Sequence, residues 1–308
     1  MKPRTGTTST FTSTSNREPR SGQYGVAIVN YRSATPTIAL VRRLLADPHC
    51  GQVVIVNNDP SETTILAEWA KALPRVQVLH RPNVGYGSAM NLALRELTNV
   101  QRVALLNPDL HFHPELVLPT LLLAMDRTGA AVVGPRLTDS QGTVWRTAFE
   151  KNHSLTTIVL DFIVKAVGED SLLGNSLRQL GGANRAYGPA GAVRALTGAF
   201  WVVDPIQLAS VGGFDEDFFL YGEETDLCRR LNQQGHSIWF EPRVSATHLG
   251  GASSHGQSRR AQRVASAALQ LRKAGNPLQA RLLEITAQVV KLSSPRRQGL
   301  PSHGPPNA

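Results

Sequence analysis

Between residues 25 and 135 short β-branched runs alternate with stretches of helical spacing, and this alternation leaves few folds open. GVAIVNY (25–31), VVIVN (53–57), VQVLH (76–80), RVALL (102–106) and AAVVGP (130–135) read as buried strands. Residues 36–46 put Ile38, Val41, Leu44 and Leu45 at helical spacing. A second helix opens at Ser61 with Glu62 in its first turn, a third spans 87–97, and a fourth runs from Pro114 to Arg127. Such intervals suit right-handed crossovers between parallel strands. The expected fold class is therefore α/β, a Rossmann-like, mostly parallel central sheet flanked by helices. Sites in such sheets lie beyond the carboxyl ends of the strands. Three polar clusters fall there: Asn30-Tyr31, Asn57-Asn58-Asp59 and Asn107-Pro108-Asp109.

Residues 150–190 are weakly patterned and read as a variable excursion of helices and loops. Pattern returns in VRALTGAFWVVD (193–204), read as one strand. A helix follows Gly222, with Glu223, Glu224 and Asp226 in its first turn and Gly235 as its stop. SIWFEP (237–242) is another strand. Two C-terminal helices are expected. The first spans 259–273, with Ala261, Val264, Ala265, Ala268 and Leu269 apolar; the second spans 277–292 and opens on Asn276-Pro277. The resulting division is a disordered tail (1–22), a main domain (23–257), C-terminal helices (258–293) and a second disordered tail (294–308).

The net charge of +9 invites a nucleic-acid reading, which its distribution opposes. Residues 1–22 carry four Lys/Arg against one Glu, and residues 258–308 carry nine against one, so residues 23–257 are left at −2. A nucleic-acid-binding core should be basic on its reading face. Basic tails on a slightly acidic core suit an anionic membrane surface or an acidic partner; solvated, solubilising tails are the plain alternative. Cys50 and Cys228 form neither a metal-ligand pair nor a disulfide framework, which fits a reducing compartment. No apolar run is long enough to span a bilayer, and residues 1–22 hold no signal-peptide core. A cytoplasmic protein is expected, with peripheral contact at the inner face of the cell membrane if the basic C-terminus binds lipid.

Each polar motif has an ordinary reading when taken alone. Asp109 after Asn-Pro suits a turn or a helix cap as well as a metal ligand. Carboxylates favour helix N-termini, which accounts for the 223–226 cluster. His248 suits a satisfied strand histidine, and Asn91 a polar helix residue or a site residue. The glycines of NVGYGSAMN (83–91) do not make a dinucleotide fingerprint. Trp201 and Trp239 suit core packing better than stacking on a sugar.

In combination these stretches are specific. VAIVNYRS, VVIVNNDPSE, RPNVGYGSAMNLAL, VALLNPDLHF, LTGAFWVVD, GGFDEDFFLYGEETDLCRRL and THLGGASS run in order over residues 25–255. The pattern resembles the family-2 glycosyltransferases, in particular their rhamnosyltransferase-like branch with a GT-A nucleotide-sugar-binding fold. The resemblance implies inverting transfer of a sugar from a nucleoside-diphosphate sugar to a hydroxyl of a saccharide or lipid-linked acceptor. dTDP-L-rhamnose is the favoured donor, with UDP-hexoses as the alternative. A non-catalytic nucleotide-sugar-binding scaffold is the rival from another functional class.

The resemblance also implies roles. A diphosphate leaving group gains negative charge, so Mg2+ or Mn2+ is expected, with Asp109 as its ligand and His248 completing the shell. Asn107 stands where many relatives carry a second carboxylate. Inversion needs a base opposite the leaving group; Glu224 is the candidate and Glu223 the runner-up. Nucleotide binding falls to Asn30, Tyr31, Arg32, Asn57, Asn83, Gly85 and Asn107. Thr197, Gly198 and Ala199 line the sugars, and Asp226 sits beside them, orienting or capping the helix.

Overall fold

A computed structural model describes residues 23–98, 100–145, 148–149, 188–250 and 257–293. The expected tails and most of the 150–190 excursion lie outside these residues. The strands are β1 (Tyr24–Asn30), β2 (Cys50–Asn57), β3 (Val76–His80), β4 (Arg102–Leu106), β5 (Leu110–His111), β6 (Val132–Thr138), β7 (Ala148–Phe149), β8 (Gly191–Val193), β9 (Ala195–Leu196), β10 (Phe200–Val203) and β11 (Ile238–His248). The helices are α1 (Ala34–Leu45), α2 (Thr63–Ala70), α3 (Tyr86–Glu96), α4 (Pro114–Thr128), α5 (Pro205–Ser210), α6 (Glu223–Gln233), α7 (Gln257–Lys273) and α8 (Pro277–Ser293).

A nine-stranded sheet runs β3-β2-β1-β4-β10-β6-β11-β5, with β8 also on β11. Its β3-β2-β1-β4 half is parallel, as the alternation predicts. The other half is mixed. β10 lies antiparallel between β4 and β6, and β5 and β8 run antiparallel to β11. Alternating side chains feed two cores. Val26, Ile28, Val53 and Ile55 face α1 and α4, while Ala27, Val29, Val54 and Val56 face α3 and α6. Leu40, Leu44, Leu118, Leu121 and Leu231 are fully buried on these helices, each burial stabilising the fold by roughly 1.5–3 kcal/mol.

Three expectations need correction. Residues 193–204 are not one strand: the chain bends at Arg194, turns at Gly198-Ala199 and starts β10 only at Phe200. A continuous strand would carry the 197–199 turn away from the end of β4, where Asn107 N donates to Ala199 O at 2.9 Å. The second helix begins as a 3-10 turn, Pro60–Glu62, capped by Asp59, whose carboxylate accepts from Ser61 N at 2.9 Å. Glu62 turns away from its own helix and caps α1 instead, accepting from Ser33 N at 2.9 Å and Ala34 N at 3.0 Å. On α7, Ala261 and Ala265 are exposed; Ala268 and Leu271 pack on Ala280 and Leu283 of α8.

Trp201 is fully buried, as expected, and Trp239 is half-buried beneath the Arg127 guanidinium, 6.0 Å from its ring centre. Cys50 and Cys228 are buried and unpaired. Among the described residues no helix is long and apolar enough to cross a membrane.

Candidate active site

The end of β4 and the end of β11 meet through register. β5 pairs antiparallel with β11 so that His248 lies opposite Leu110, the residue after Asp109. His248 Nε2 thereby stands 3.0 Å from Asp109 Oδ1 and 3.2 Å from Asn107 Nδ2. Leu249 N donates to Asp109 O at 3.1 Å, and Arg43 of α1 holds β5 by donating to Leu110 O and Phe112 O at 2.9 and 3.1 Å. The Trp145 ring meets the imidazole edge-on, centroids 4.8 Å apart. His248 Nδ1 is buried without a hydrogen-bond partner. One carboxylate oxygen and one ring nitrogen 3.0 Å apart suit adjacent positions on a small divalent cation whose ligand distances are about 2.0–2.1 Å. Among the described residues no group of three or more His, Cys, Asp or Glu side chains gathers for a metal. A cation held here would take the rest of its shell from a bound diphosphate and water.

Glu223 and Glu224 start α6 after a backbone that few residues adopt: Tyr221 has φ 67° and Gly222 φ 92°. Glu223 is buried, with Oε2 lacking a hydrogen-bond partner, while Glu224 is half-buried. Burial, then the neighbouring Glu224 charge, pushes the Glu223 carboxyl up to about 9. Burial also raises Glu224. The Tyr86 hydroxyl is buried without a hydrogen-bond partner, and burial, then the charges of Glu223 and Glu224, holds it protonated. Gly198 lies beneath Glu224; a Cβ there would meet Glu224 Cβ at 3.2 Å. The 197–199 turn thus touches the end of β4 on one side and the acidic pair on the other.

Several expected nucleotide contacts are committed to the protein. Asn30 is fully buried and donates to Asn57 Oδ1 (2.9 Å) and Glu62 Oε2 (2.8 Å), while accepting from Thr37 Oγ1 (2.7 Å). Asn57 is also buried, donating to Asp59 O at 2.8 Å and accepting from Asp59 N at 3.1 Å. Both asparagines hold the loop rather than face a ligand. The open acceptors lie next door, where Asp59 Oδ2 and Asn58 Oδ1 are buried without hydrogen-bond partners. Two Ser61 donors hold the Asp59 carboxyl below its usual range, so it is ionised. Arg32 Nε stands 3.4 Å from Asp59 Oδ2, and Tyr31 is exposed at the rim. Asn83 accepts from Gly85 N at 3.2 Å and from Asn58 Nδ2 at 3.5 Å. Gly85 has φ 115°, and a Cβ there would meet Phe219 O at 2.7 Å.

The glycosyl transferase family 2 model matches residues 26–182. The chain belongs to glycosyl transferase family 2. The matched range contains Asp59, Tyr86 and Asp109 and stops before the acidic pair and His248. The N-acetylglucosaminyl-diphospho-decaprenol L-rhamnosyltransferase of Mycobacterium tuberculosis is 26% identical over 207 residues, 64% of this chain and 66% of the relative. The low-salt glycan biosynthesis hexosyltransferase Agl10 of Haloferax volcanii is 24% identical over 226 residues, 72% of this chain and 66% of the relative. The alignments thus span just under two thirds of both relatives. Among solved structures, the mannosyltransferase PcManGT from Pyrobaculum calidifontis in complex with GDP-Man and Mn2+ superposes with a TM-score of 0.55 at 14% identity, over 93% of this chain and 78% of that one. GalNAc-T7 with UDP, GalNAc and Mn2+ gives 0.55 at 14%, over 74% and 44%. The fold of this family-2 chain is GT-A.

Asp226, expected beside the sugars, has both carboxylate oxygens engaged within its own helix. Arg229 and Arg230 each donate to one of its oxygens at 2.6 Å, which fixes it as an internal brace of α6. Asn91 proves to be a positioning residue: it is buried, accepting from Phe214 N and donating to Phe214 O, both at 2.9 Å. Tyr86 and Arg43 carry no motif that marks them in the sequence. Asp59 was visible as the carboxylate of a strand-end cluster, but nothing in one dimension distinguished it from its asparagine neighbours.

Proposed function

We propose that the protein is a metal-assisted, inverting glycosyltransferase that moves a sugar from a nucleoside-diphosphate donor to a hydroxyl of a saccharide or lipid-linked acceptor. The observation that carries this reading is one turn, residues 197–199, shared by two acidic centres. Its Ala199 carbonyl binds Asn107 N, next to Asp109, and its Gly198 supports Glu224. Asp109 and His248 would hold Mg2+ or Mn2+, which neutralises charge on a departing diphosphate. Glu224 takes the proton from the acceptor hydroxyl. That oxygen then bonds to the anomeric carbon as the carbon–oxygen bond to the diphosphate breaks on the opposite face. The electron pair leaves with the diphosphate, and configuration inverts.

Asp59 is the nucleobase acceptor in this reading, since an ionised carboxylate accepts an imide N–H. Asn58, Asn83 and Gly85 border the same pocket, with Tyr31 and Arg32 on its rim. dTDP-L-rhamnose is the favoured donor, supported by the family resemblance and the L-rhamnosyltransferase relative; a UDP-hexose is the alternative. The location proposed is cytoplasmic, peripheral to an anionic membrane. Asn107, an amide facing His248, supports a second reading, a nucleotide-sugar-binding scaffold without turnover. Assay with dTDP-L-rhamnose, UDP-glucose and UDP-N-acetylglucosamine plus Mn2+ separates the two. Turnover abolished by Glu224→Gln and Asp109→Ala supports the enzyme, while tight binding without turnover by any of the three supports the scaffold.

A further inference from the structure

α7 presents one face to the loop that ends in the acidic pair. Residues 263, 266, 270 and 273 recur at helical spacing, and each meets the 215–222 segment. The Arg263 guanidinium lies over the Tyr221 ring, 4.8 Å from its centre. Ser266, itself buried, donates through Oγ to Leu220 O at 2.7 Å, and Gln270 Nε2 donates to Gly222 O at 3.0 Å. Lys273 Nζ reaches Asp215 Oδ2 at 2.6 Å and Asp217 Oδ2 at 2.7 Å. The carbonyls so gripped flank Tyr221, one of two non-glycine residues with positive φ among those described. A Cβ at Gly222 would meet Gln270 Nε2 at 2.5 Å, so the glycine and the amide are matched in shape. From the other side α3 holds the same loop: Phe219 O accepts from Tyr86 N at 2.9 Å, and Asn91 pins Phe214.

A left-handed Tyr-Gly pair persists only where its surroundings over-determine it. We propose that α7 is a positioning element for the reaction, with Ser266 and Gln270 holding the Tyr221-Gly222 backbone so that Glu224 is presented to the acceptor hydroxyl. This rests on Glu224 being the base. It makes the C-terminal hairpin part of the active site without placing any of its side chains on substrate. Release of the grip lets the start of α6 relax and admits water to the pair. The titratable groups that feel the pair are Tyr86 from α3 and, within α6, Cys228.

Two variants of the full chain test this: Gln270→Glu, which keeps size but removes the donor, and Ser266→Ala. Two readouts follow each. Hydrogen exchange, which needs no ligand, should show faster exchange at residues 219–224 with β1 to β4 unchanged. Turnover of dTDP-L-rhamnose, or of whichever panel donor is active, should fall about tenfold in kcat with donor KM unchanged, a misplaced group being the cause. The acid limb of the pH profile should move to lower pH as water relieves the burial of Glu224. Wild-type exchange, kcat and pH profile in both variants, with Glu224→Gln inactive, would overturn the role of α7 alone. An active Glu224→Gln would overturn the base assignment and this inference with it. Where Gln270→Glu exchanges throughout the chain, Ser266→Ala decides.

Discussion

His248 Nε2 lies 3.0 Å from Asp109 Oδ1, an imidazole at the end of β11 beside a carboxylate that follows β4. Neither strand pairs with the other. β5, two residues long and tied to α1 by Arg43, brings them together. The juxtaposition gives the turn after β4 a neighbour that a bare Asn-Pro-Asp does not have.

The first prediction concerns that pair. Asp109→Ala and His248→Ala should each lower Mn2+-dependent turnover by about a hundredfold or more, since the charge on the departing diphosphate loses its counterweight. Calorimetric titration of Mn2+ in the presence of dTDP should show weakened metal binding in both. Unchanged Mn2+ binding in either variant would remove that residue from the site.

Glu223 and Glu224 should separate by role. Glu224→Gln should lower kcat by roughly 10²–10⁴-fold with the fold intact. Glu223 rises from 4.5 in the unfolded chain to about 9 when folded, so the native state binds the extra proton between those values. Stability from this group is full below pH 4.5 and is lost as pH rises toward about 9. Glu223→Gln should therefore raise Tm more at pH 8 than at pH 5, and melting curves at the two values check it.

Gly198→Ala places a methyl 3.2 Å from Glu224 Cβ. The glutamate must move while the strands on either side remain in register. kcat should fall about tenfold at unchanged Tm, because small displacements of a reacting group are costly. A variant with wild-type kcat would detach the 197–199 turn from the chemistry.

Glu62 accepts from Asn30 Nδ2, Ser33 N and Ala34 N. Glu62→Ala strands a buried amide and two helix-end donors, at about 1–3 kcal/mol for each group that water cannot reach. Urea unfolding should show a lower midpoint with the slope preserved. Nucleotide affinity should fall as well, because Asn30 and Asn57 support the loop that carries Asp59.

The C-terminal hairpin exposes Leu278 and Ile285 on α8, and residues 258–308 carry nine Lys/Arg against one Glu. Full-length protein should sediment with vesicles containing phosphatidylserine, more weakly as salt rises, and deletion of residues 294–308 should weaken the binding. Equal sedimentation with neutral vesicles would end the membrane reading.

The sequence by itself determined the β1 to β4 half of the sheet, α1, α3, α4 and the extent of α6, because period-2 and period-3.6 patterns are local and survive in one dimension. It also singled out Asp109, His248, Glu223 and Glu224 as a set, through order and motif. Only the tertiary structure decided the direction of the later strands. β10 runs antiparallel, and a strand buried on both faces reads the same either way. The same holds for polar roles: Asn30, Asn57, Asn58 and Asp59 are neighbours of similar character, yet the first two are saturated by internal hydrogen bonds and the last two each keep a buried oxygen without a hydrogen bond. Which partner satisfies a buried donor depends on contacts between distant segments, such as Glu62 on Asn30 or Gln270 on Gly222. Those contacts exist only once the chain has closed on itself.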